Sequence, residues 1–388
     1  MKLKQTLAFL LAALLLGALF TGCSGGGNPP PASNPPAATQ PAAPNGSQSS
    51  GGEVDKSDWV TLNLTYATFL AADAPGQDGI DLLQAKCDEH MGEGYVNIET
   101  YANGTLLGTA DIFDGVVNGV AEMGIVLSST LTGRLPVTMV ADTAGLYYAS
   151  SQAGCRAMRD YIDQVQPEEL KDVVVLFPIS TTPQALCCTK EITCLEDLAG
   201  MQIRATSSAA DAVKSWNAVP VSMAIGEVYE GLRNGLVEGC ISSVGAFGNS
   251  KFEEVAKYCL VTPFIGSSNL VVLNRGTYES MPESQRAVFD QCVDETFEEF
   301  YSTYIEDFSN DPNSQLYLNT IEKITFLEGE ELDKFTQAVQ DLPAQYARQL
   351  NEMGYEGDKL VELFSSLLEK YNAEYPPVPD NYYMWMKD

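Results

Sequence analysis

The sequence predicts an α/β protein of two domains behind an exported leader. Three observations carry that prediction. Short apolar runs of period two alternate with stretches of helical period along most of the chain. About 336 residues follow position 52, more than one ordinary hydrophobic core serves. The first 52 residues differ from the rest, being an apolar stretch followed by a tract rich in Gly, Pro and Ser.

The elements follow in order. Leu62, Leu64 and Tyr66 alternate with polar residues, so the first strand lies there. From Gly79 to Met91, Ile80, Leu83, Cys87 and Met91 share one helical face. Val96 to Tyr101 reads as a second strand, closed by the Asn103-Gly104 turn. Phe113, Val116, Val117 and Val120 repeat at helical spacing, and Met123 to Leu127 is a third strand. Val173 to Phe177 is a continuous apolar run, as in a strand covered on both faces. The pattern then repeats, with strands at Ala185 to Cys188, Met201 to Ala205, Val221 to Ala224 and Gly239 to Ile241. Between them lie a turn at Leu195 to Gly200 and helices carrying Val213 and Trp216, then Glu227 to Asn234. Leu270 to Leu273 forms another strand. After Pro282 a helix carries Val288, Cys292, Phe297, Phe300 and Tyr304, until Asn310-Asp311-Pro312 breaks it, since proline has no amide donor. Two later helices carry Leu332, Phe335 and Val339, and Leu360, Phe364, Leu367 and Leu368. The acids Glu295, Glu298 and Glu299 belong on a solvated face.

Composition excludes several functions. Acids outnumber Lys and Arg by 52 to 22, a net charge of -30. Nucleic acid and anionic membranes need cationic surface to neutralise phosphate, so neither is an expected partner. The single His90 leaves no His pair for a metal, and a Ser–His–Asp triad would have to use His90 alone. There is no GxGxxG, Walker A or GxSxG motif. No cofactor is expected. The eight cysteines after position 23 include no CxxC and sit largely in apolar runs, which favours buried thiols over a disulfide framework.

The leader carries its own signals. Lys2 and Lys4 precede an apolar run from Leu7 to Phe20. That run is too short to cross a ~30 Å hydrocarbon core and suits a signal peptide, residues 1–22. Phe20-Thr21-Gly22-Cys23 resembles the bacterial lipoprotein box, with Phe20 in place of the usual Leu, so Cys23 would take the lipid. Residues 24–52 carry no charge and too little apolar surface to fold, as suits a tether that holds a domain off a membrane. The expected location is extracytoplasmic, anchored through the lipid on Cys23.

One group of motifs resembles a known family. Glu196-Asp197-Leu198-Ala199-Gly200-Met201-Gln202-Ile203-Arg204 is followed by Pro220-Val221-Ser222-Met223 and by Glu227-Val228-Tyr229-Glu230-Gly231-Leu232-Arg233-Asn234-Gly235. Lys251-Phe252-Glu253-Glu254-Val255-Ala256-Lys257-Tyr258 comes next. With Asn103-Gly104 to Gly108, Gly119 to Met123 and Asn274 to Gln285, these resemble the solute-binding proteins of tripartite ATP-independent periplasmic (TRAP) transporters. The similarity spans about residues 60–300.

The resemblance implies a two-lobed, periplasmic-binding-protein-like fold with mixed sheets flanked by helices and a long helix linking the lobes. Lobe I would take residues 53–181 and 269–310, lobe II residues 182–268 and 311–388 with the C-terminal helices. A monomer would capture a small organic acid between the lobes and deliver it to membrane permease subunits. In the family the Arg that ends the GlkiR strand pairs with the ligand carboxylate, and here that is Arg204. A guanidinium suits the task, because its planar fork matches a carboxylate and stays charged when desolvated. The matching positions for further contacts are Gln184 in place of a second Arg or polar group, Leu127-Ser128 in place of an acid, Ser242 in place of Asn and Ile225 in place of an aromatic. Thr68 and Phe69 follow the first strand and would add a hydroxyl and an apolar wall. These departures point to a monocarboxylate, such as a 2-oxo, 2-hydroxy or aromatic acid. Glu227 and Tyr229 are expected in lobe packing or at the rim rather than against the ligand, and Trp216 in a core. The competing readings are a binding lipoprotein of an ATP-driven amino-acid importer and a surface hydrolase.

Overall fold

The computed structural model describes residues 55–376 except 73–74, 132, 181–183, 311–315 and 318. The leader, Cys23 and the linker lie outside the described residues.

The first sheet has five strands, β1 (Leu62–Ala67), β2 (Val96–Tyr101), β3 (Met123–Leu127), β4 (Val173–Ser180) and β10 (Ser268–Asn274). Their order is β2-β1-β3-β10-β4, and only β10 runs against its neighbours. The second sheet has β5 (Ala185–Cys188), β6 (Gln202–Arg204), β7 (Val219–Val221), β8 (Gly239–Ser242), β9 (Tyr258–Val261) and β11 (Lys323–Thr325). The order is β11-β9-β5-β8-β6-β7, with β5 antiparallel to both neighbours. Both sheets are therefore mixed.

Alternation along the strands explains how each sheet buries two faces. In β10, Leu270 and Val272 join one core while Val271 and Leu273 join another. In the second sheet Leu186, Ile203, Ile241 and Leu260 face one core, and Cys187, Cys240 and Cys259 the other. Helices cover all four faces. On the first sheet, α1 (Pro75–Met91) supplies Ile80, Leu83 and Cys87 to one side, and α2 (Ile112–Val117) and α3 (Ser151–Val165) supply Phe113, Val116 and Tyr161 to the other. On the second, α4 (Ser208–Ser215) and α5 (Ile225–Arg233) lie on opposite sides with α6 (Val244–Asn249) beside α5. After the short α7 (Arg275–Glu279), the 28-residue α8 (Glu283–Asn310) leads from the first sheet toward β11 of the second. The described helix ends at Asn310, just before Pro312.

The chain closes with α9 (Gly329–Val339), α10 (Leu342–Glu352) and α11 (Gly357–Glu374). These divide rather than joining lobe II as a block. Phe335, Val339 and Leu342 enter a core of the second sheet. Leu350, Phe364 and Leu368 pack on the first, where Phe364 meets Tyr161 edge-on at 5.4 Å. The apolar face of α3 would otherwise be left to water, and α11 covers it. Ser150 caps α3, accepting from the Ala153 amide at 3.1 Å and donating to the Tyr375 carbonyl at 3.0 Å. Ser150→Ala should cost about 1 kcal/mol in a urea melt; no measurable loss would show that the cap is dispensable.

Several expected boundaries move. Strand β7 occupies Val219–Val221 instead of Val221 to Ala224, because its partner is β6 in the register Gln202↔Val219. Pro220 is tolerated on this edge strand, which bonds on one side only. Helix α2 stops at Val117, so Val120 is 55% exposed beyond Gly119, which turns the chain at φ +71. The Lys251 to Tyr258 motif, a helix in the family it resembles, is here a 3₁₀ turn, Phe252–Glu254, leading into β9. Of the α8 acids, Glu298 and Glu299 are exposed and ion-paired, with Arg156 and Lys86, and the half-buried Glu295 lies 3.6 Å from Lys86. Exposed pairs of this kind add little stability.

Candidate ligand-binding site

Topology brings the candidate residues to two matching edges. The carboxyl ends of β1, β2, β3 and β4 and the start of β10 share one edge of the first sheet. The carboxyl ends of β6, β7, β8 and β9 and the start of β5 share one edge of the second. Two crossover connections join these edges: the one from β4 to β5, of which Gln184 is described, and residues 262–267 between β9 and β10. They bond to each other, Gln184 N–H to the Ile265 carbonyl at 3.0 Å and Thr262 N–H to the Gln184 carbonyl at 3.2 Å. In α/β sheets ligands bind outside the carboxyl ends of strands, where the topology switches.

Arg204 ends β6 on that edge and is partly buried. Its Nε donates to the Met223 carbonyl at 3.1 Å and its Nη1 to the Ile241 carbonyl at 3.2 Å. Two neutral acceptors thus fix the plane of the guanidinium without neutralising it. No Asp or Glu among the described residues lies within ion-pair distance of it. The charge is felt nearby. Burial resists ionisation of the Cys240 thiol, yet the adjoining Cys187 thiol and Arg204 bring it below the ordinary range. An oriented, partly dehydrated and unpaired guanidinium is suited to bind a carboxylate.

The other expected site residues fall into two groups. Gln184 and Ser242 flank the start of β5, since Ser242 pairs with Ala185, and both are half-buried. Leu127 ends β3 opposite Asn269 and is also half-buried. Ile225 opens α5 and is 38% exposed. Phe69 is half-buried against both cores of the first sheet. Ser128 and Thr68 belong to the interior instead. Ser128 is fully buried, with its hydroxyl between Asp142 and the Ser268 carbonyl. Thr68 is 1% exposed and its hydroxyl oxygen accepts from the Leu70 amide. Each hydroxyl is already engaged by the protein, so neither is available as it stands.

Glu227 accepts from the Ala224 amide at the start of α5, and Tyr229 donates to Glu254 at 2.6 Å, both on the outside of the lobe. Trp216 is 1% exposed and meets Phe335 edge-on, a core residue as expected. His90 sits in the last turn of α1, 2.8 Å from Glu295. Among the described residues no disulfide is formed, and no group of His, Cys, Asp or Glu is placed to hold a metal ion. No described helix is long and apolar enough to cross a membrane. Sequence reasoning missed the Met223 and Ile241 carbonyls that aim Arg204, which carry no side-chain signal. It also missed Asp142, whose one clue is an acid closing the mostly apolar run Val137-Thr138-Met139-Val140-Ala141.

Two mixed sheets, helix-covered on both faces and joined by paired crossovers, define a two-lobed periplasmic-binding-protein fold. The family model for bacterial extracellular solute-binding protein, family 7 (DctP), matches residues 66–349, and the chain belongs to that family. It is a family of binding proteins, not of enzymes. The chain is 24% identical over 204 residues to a solute-binding protein of Albidiferax ferrireducens, covering 51% of this chain and 60% of that one. It is 25% identical over 215 residues to the 2,3-diketo-L-gulonate-binding periplasmic protein YiaO of Escherichia coli, covering 54% of this chain and 63% of that one. The matches thus span less than two thirds of these relatives' own lengths. Among solved structures, a TRAP periplasmic solute-binding protein from Desulfovibrio salexigens superposes with TM-score 0.71 at 23% identity, covering 84% of this chain and all of the other. A TRAP solute-binding protein from Rhodoferax ferrireducens, solved with copurified benzoate, has TM-score 0.72 at 20% identity, covering 81% and 99%.

Proposed function

We propose that this protein is the extracytoplasmic receptor of a TRAP-type secondary transporter, and that it captures a small organic monocarboxylate between its lobes. The observation that carries this reading is Arg204, a half-buried guanidinium aimed by two carbonyls and paired with no described carboxylate. Gln184 and Ser242 supply polar contacts beside it, and Leu127, Phe69 and Ile225 supply apolar ones. Arg204 is the one cation among these positions, which favours a ligand with one carboxylate. Solved relatives of the fold hold benzoate, 3-hydroxybenzoate and mandelate, which supports an aromatic or 2-hydroxy acid. Closure of the lobes would remove water from the ligand and strengthen each polar contact. The closed form would then deliver the ligand to membrane permease subunits, with the domain tethered through a lipid on Cys23.

A thermal-shift screen tests the ligand class. A ligand that binds only the folded state raises apparent stability by about 2.7 kcal/mol at a hundred times its Kd. Benzoate, mandelate and their 2-oxo and 2-hydroxy relatives should raise the melting temperature, while the corresponding amides and alcohols should not. A shift produced by amino acids and by no simple carboxylate would support an amino-acid importer instead. The anchor is tested separately. The full chain expressed in bacteria should sediment with membranes, and Cys23→Ser should release it.

A further inference from the structure

Asp142 closes a 3₁₀ turn, Thr138–Asp142, in which every residue is buried. Its side chain is fully enclosed, and no Lys, Arg or His among the described residues pairs with it. Ser128 Oγ lies between Asp142 Oδ2 and the Ser268 carbonyl oxygen, the latter at 2.6 Å. A serine hydroxyl has one proton. With Asp142 ionised, both neighbours of Ser128 Oγ are acceptors, and only one of the two buried contacts is a hydrogen bond. With Asp142 protonated, its proton goes to Ser128 Oγ, the serine proton goes to Ser268, and both contacts are bonds. Oδ1 argues the same way. It has no hydrogen-bond partner, which costs much less for a neutral acid than for a buried charge.

The position of this chain of oxygens matters. Ser128 follows β3 at the edge that faces the crossovers, and Ser268 is where the second crossover enters β10. The Asp142 carbonyl accepts the Ser208 hydroxyl at the start of α4, in the other lobe. Two residues on, Ala144 is part of a core of the second sheet, and the Gly145 amide donates to Phe264 of the second crossover at 2.8 Å.

We propose that Asp142 is a positioning residue of the inter-lobe joint: in its protonated form it donates to Ser128, which donates to Ser268 and seats the second crossover on the first sheet. Burial is the largest influence on the carboxyl and pushes it up to about 6, against a contrary pull from the nearby Ser128 and Ser268 groups. The titratable groups around the turn are mostly phenols. Tyr148 donates to the Ala141 carbonyl, Tyr161 of α3 to Val137, and Tyr346 of α10 to Pro136, and burial raises all three so that they stay neutral. Glu169 accepts from the Val137 and Thr138 amides. On α11, Tyr371 bonds Asp160, and on α4, Asp211 is paired with Lys214.

The sign follows from the raised value. An Asp whose folded pKa exceeds the unfolded ~3.9 contributes stability that is complete below that value and is lost as pH rises through about 6. Asp142→Asn keeps the shape and donates to Ser128 at every pH. Urea melts of wild type and variant should therefore agree near about pH 4, and by about pH 7.5 the variant's folding constant should exceed that of wild type by about a hundredfold. A variant that matches wild type at low pH and is less stable at neutral pH, or a gap independent of pH, would overturn the proposal. Should the variant not fold, carbon-13 NMR of the wild-type Asp carboxyls decides. A buried carboxyl titrating near about 6 sustains the proposal, and the absence of any midpoint above about 5 overturns it.

Discussion

Arg204→Ala is expected to lower affinity for a carboxylate ligand at least about a hundredfold, ~3 kcal/mol, in titration calorimetry. The size follows from the geometry. The carbonyls of Met223 and Ile241 already hold the guanidinium plane, so ligand binding needs little further ordering of the side chain. Removing it leaves the ligand carboxylate in a half-dehydrated site with no counter-charge. Arg204→Lys separates charge from shape. A lysine ammonium keeps the charge but cannot span both carbonyls and still present a fork, so a loss of at least about tenfold is expected. The unliganded forms of both variants should melt within a few degrees of wild type, since Arg204 makes no ion pair that its loss would break. Unchanged affinity in both variants would remove Arg204 from the site. Affinity lost in the alanine variant but retained in the lysine one would show that charge alone suffices.

The α/β class and the places of most strands along the chain were legible because apolar period and apolar run length are local properties, while the two-lobed fold was implied by the family resemblance. β2, β3 and β5 lie where the pattern puts them, to the residue. The errors fall where pairing overrides local pattern. Val221 to Met223 looks as strand-like as Val219 to Val221, and only the register with Gln202 to Arg204 decides between them. The Lys251 to Tyr258 segment has a helical composition, yet Cys259 and Leu260 must lie against β5, which draws Tyr258 into a strand. The place of Arg204 on a strand was legible from its motif. Ser128 and Asp142 were not, since their partnership joins positions 14 residues apart with a third oxygen 140 residues further along. A sequence shows which side chains can form a hydrogen-bond chain but not which ones a fold brings together.

The joint between the lobes also sets the largest expected effect on stability, at Gly145. Its φ is +95, a conformation that costs an L side chain energy, and a Cβ there would lie 2.5 Å from the Val339 carbonyl oxygen and 3.0 Å from Pro343 Cδ. Val339 ends α9 and Pro343 lies in the first turn of α10, where the chain passes from one lobe's core to the other's. The clash is with backbone, which cannot turn aside as a flexible side chain would. Shifting Gly145 instead would pull its amide from the Phe264 carbonyl in the second crossover. Gly145→Ala should therefore cost about 3 kcal/mol or more in urea unfolding. Gly354 supplies the control, because its φ is +94 and a Cβ there would meet nothing within 4 Å. Gly354→Ala carries the dihedral cost alone, about 1 kcal/mol. The difference between the two variants measures the close packing at the joint. Equal losses would mean that the α9–α10 connection yields freely, and that Gly145 is needed only for its backbone angle.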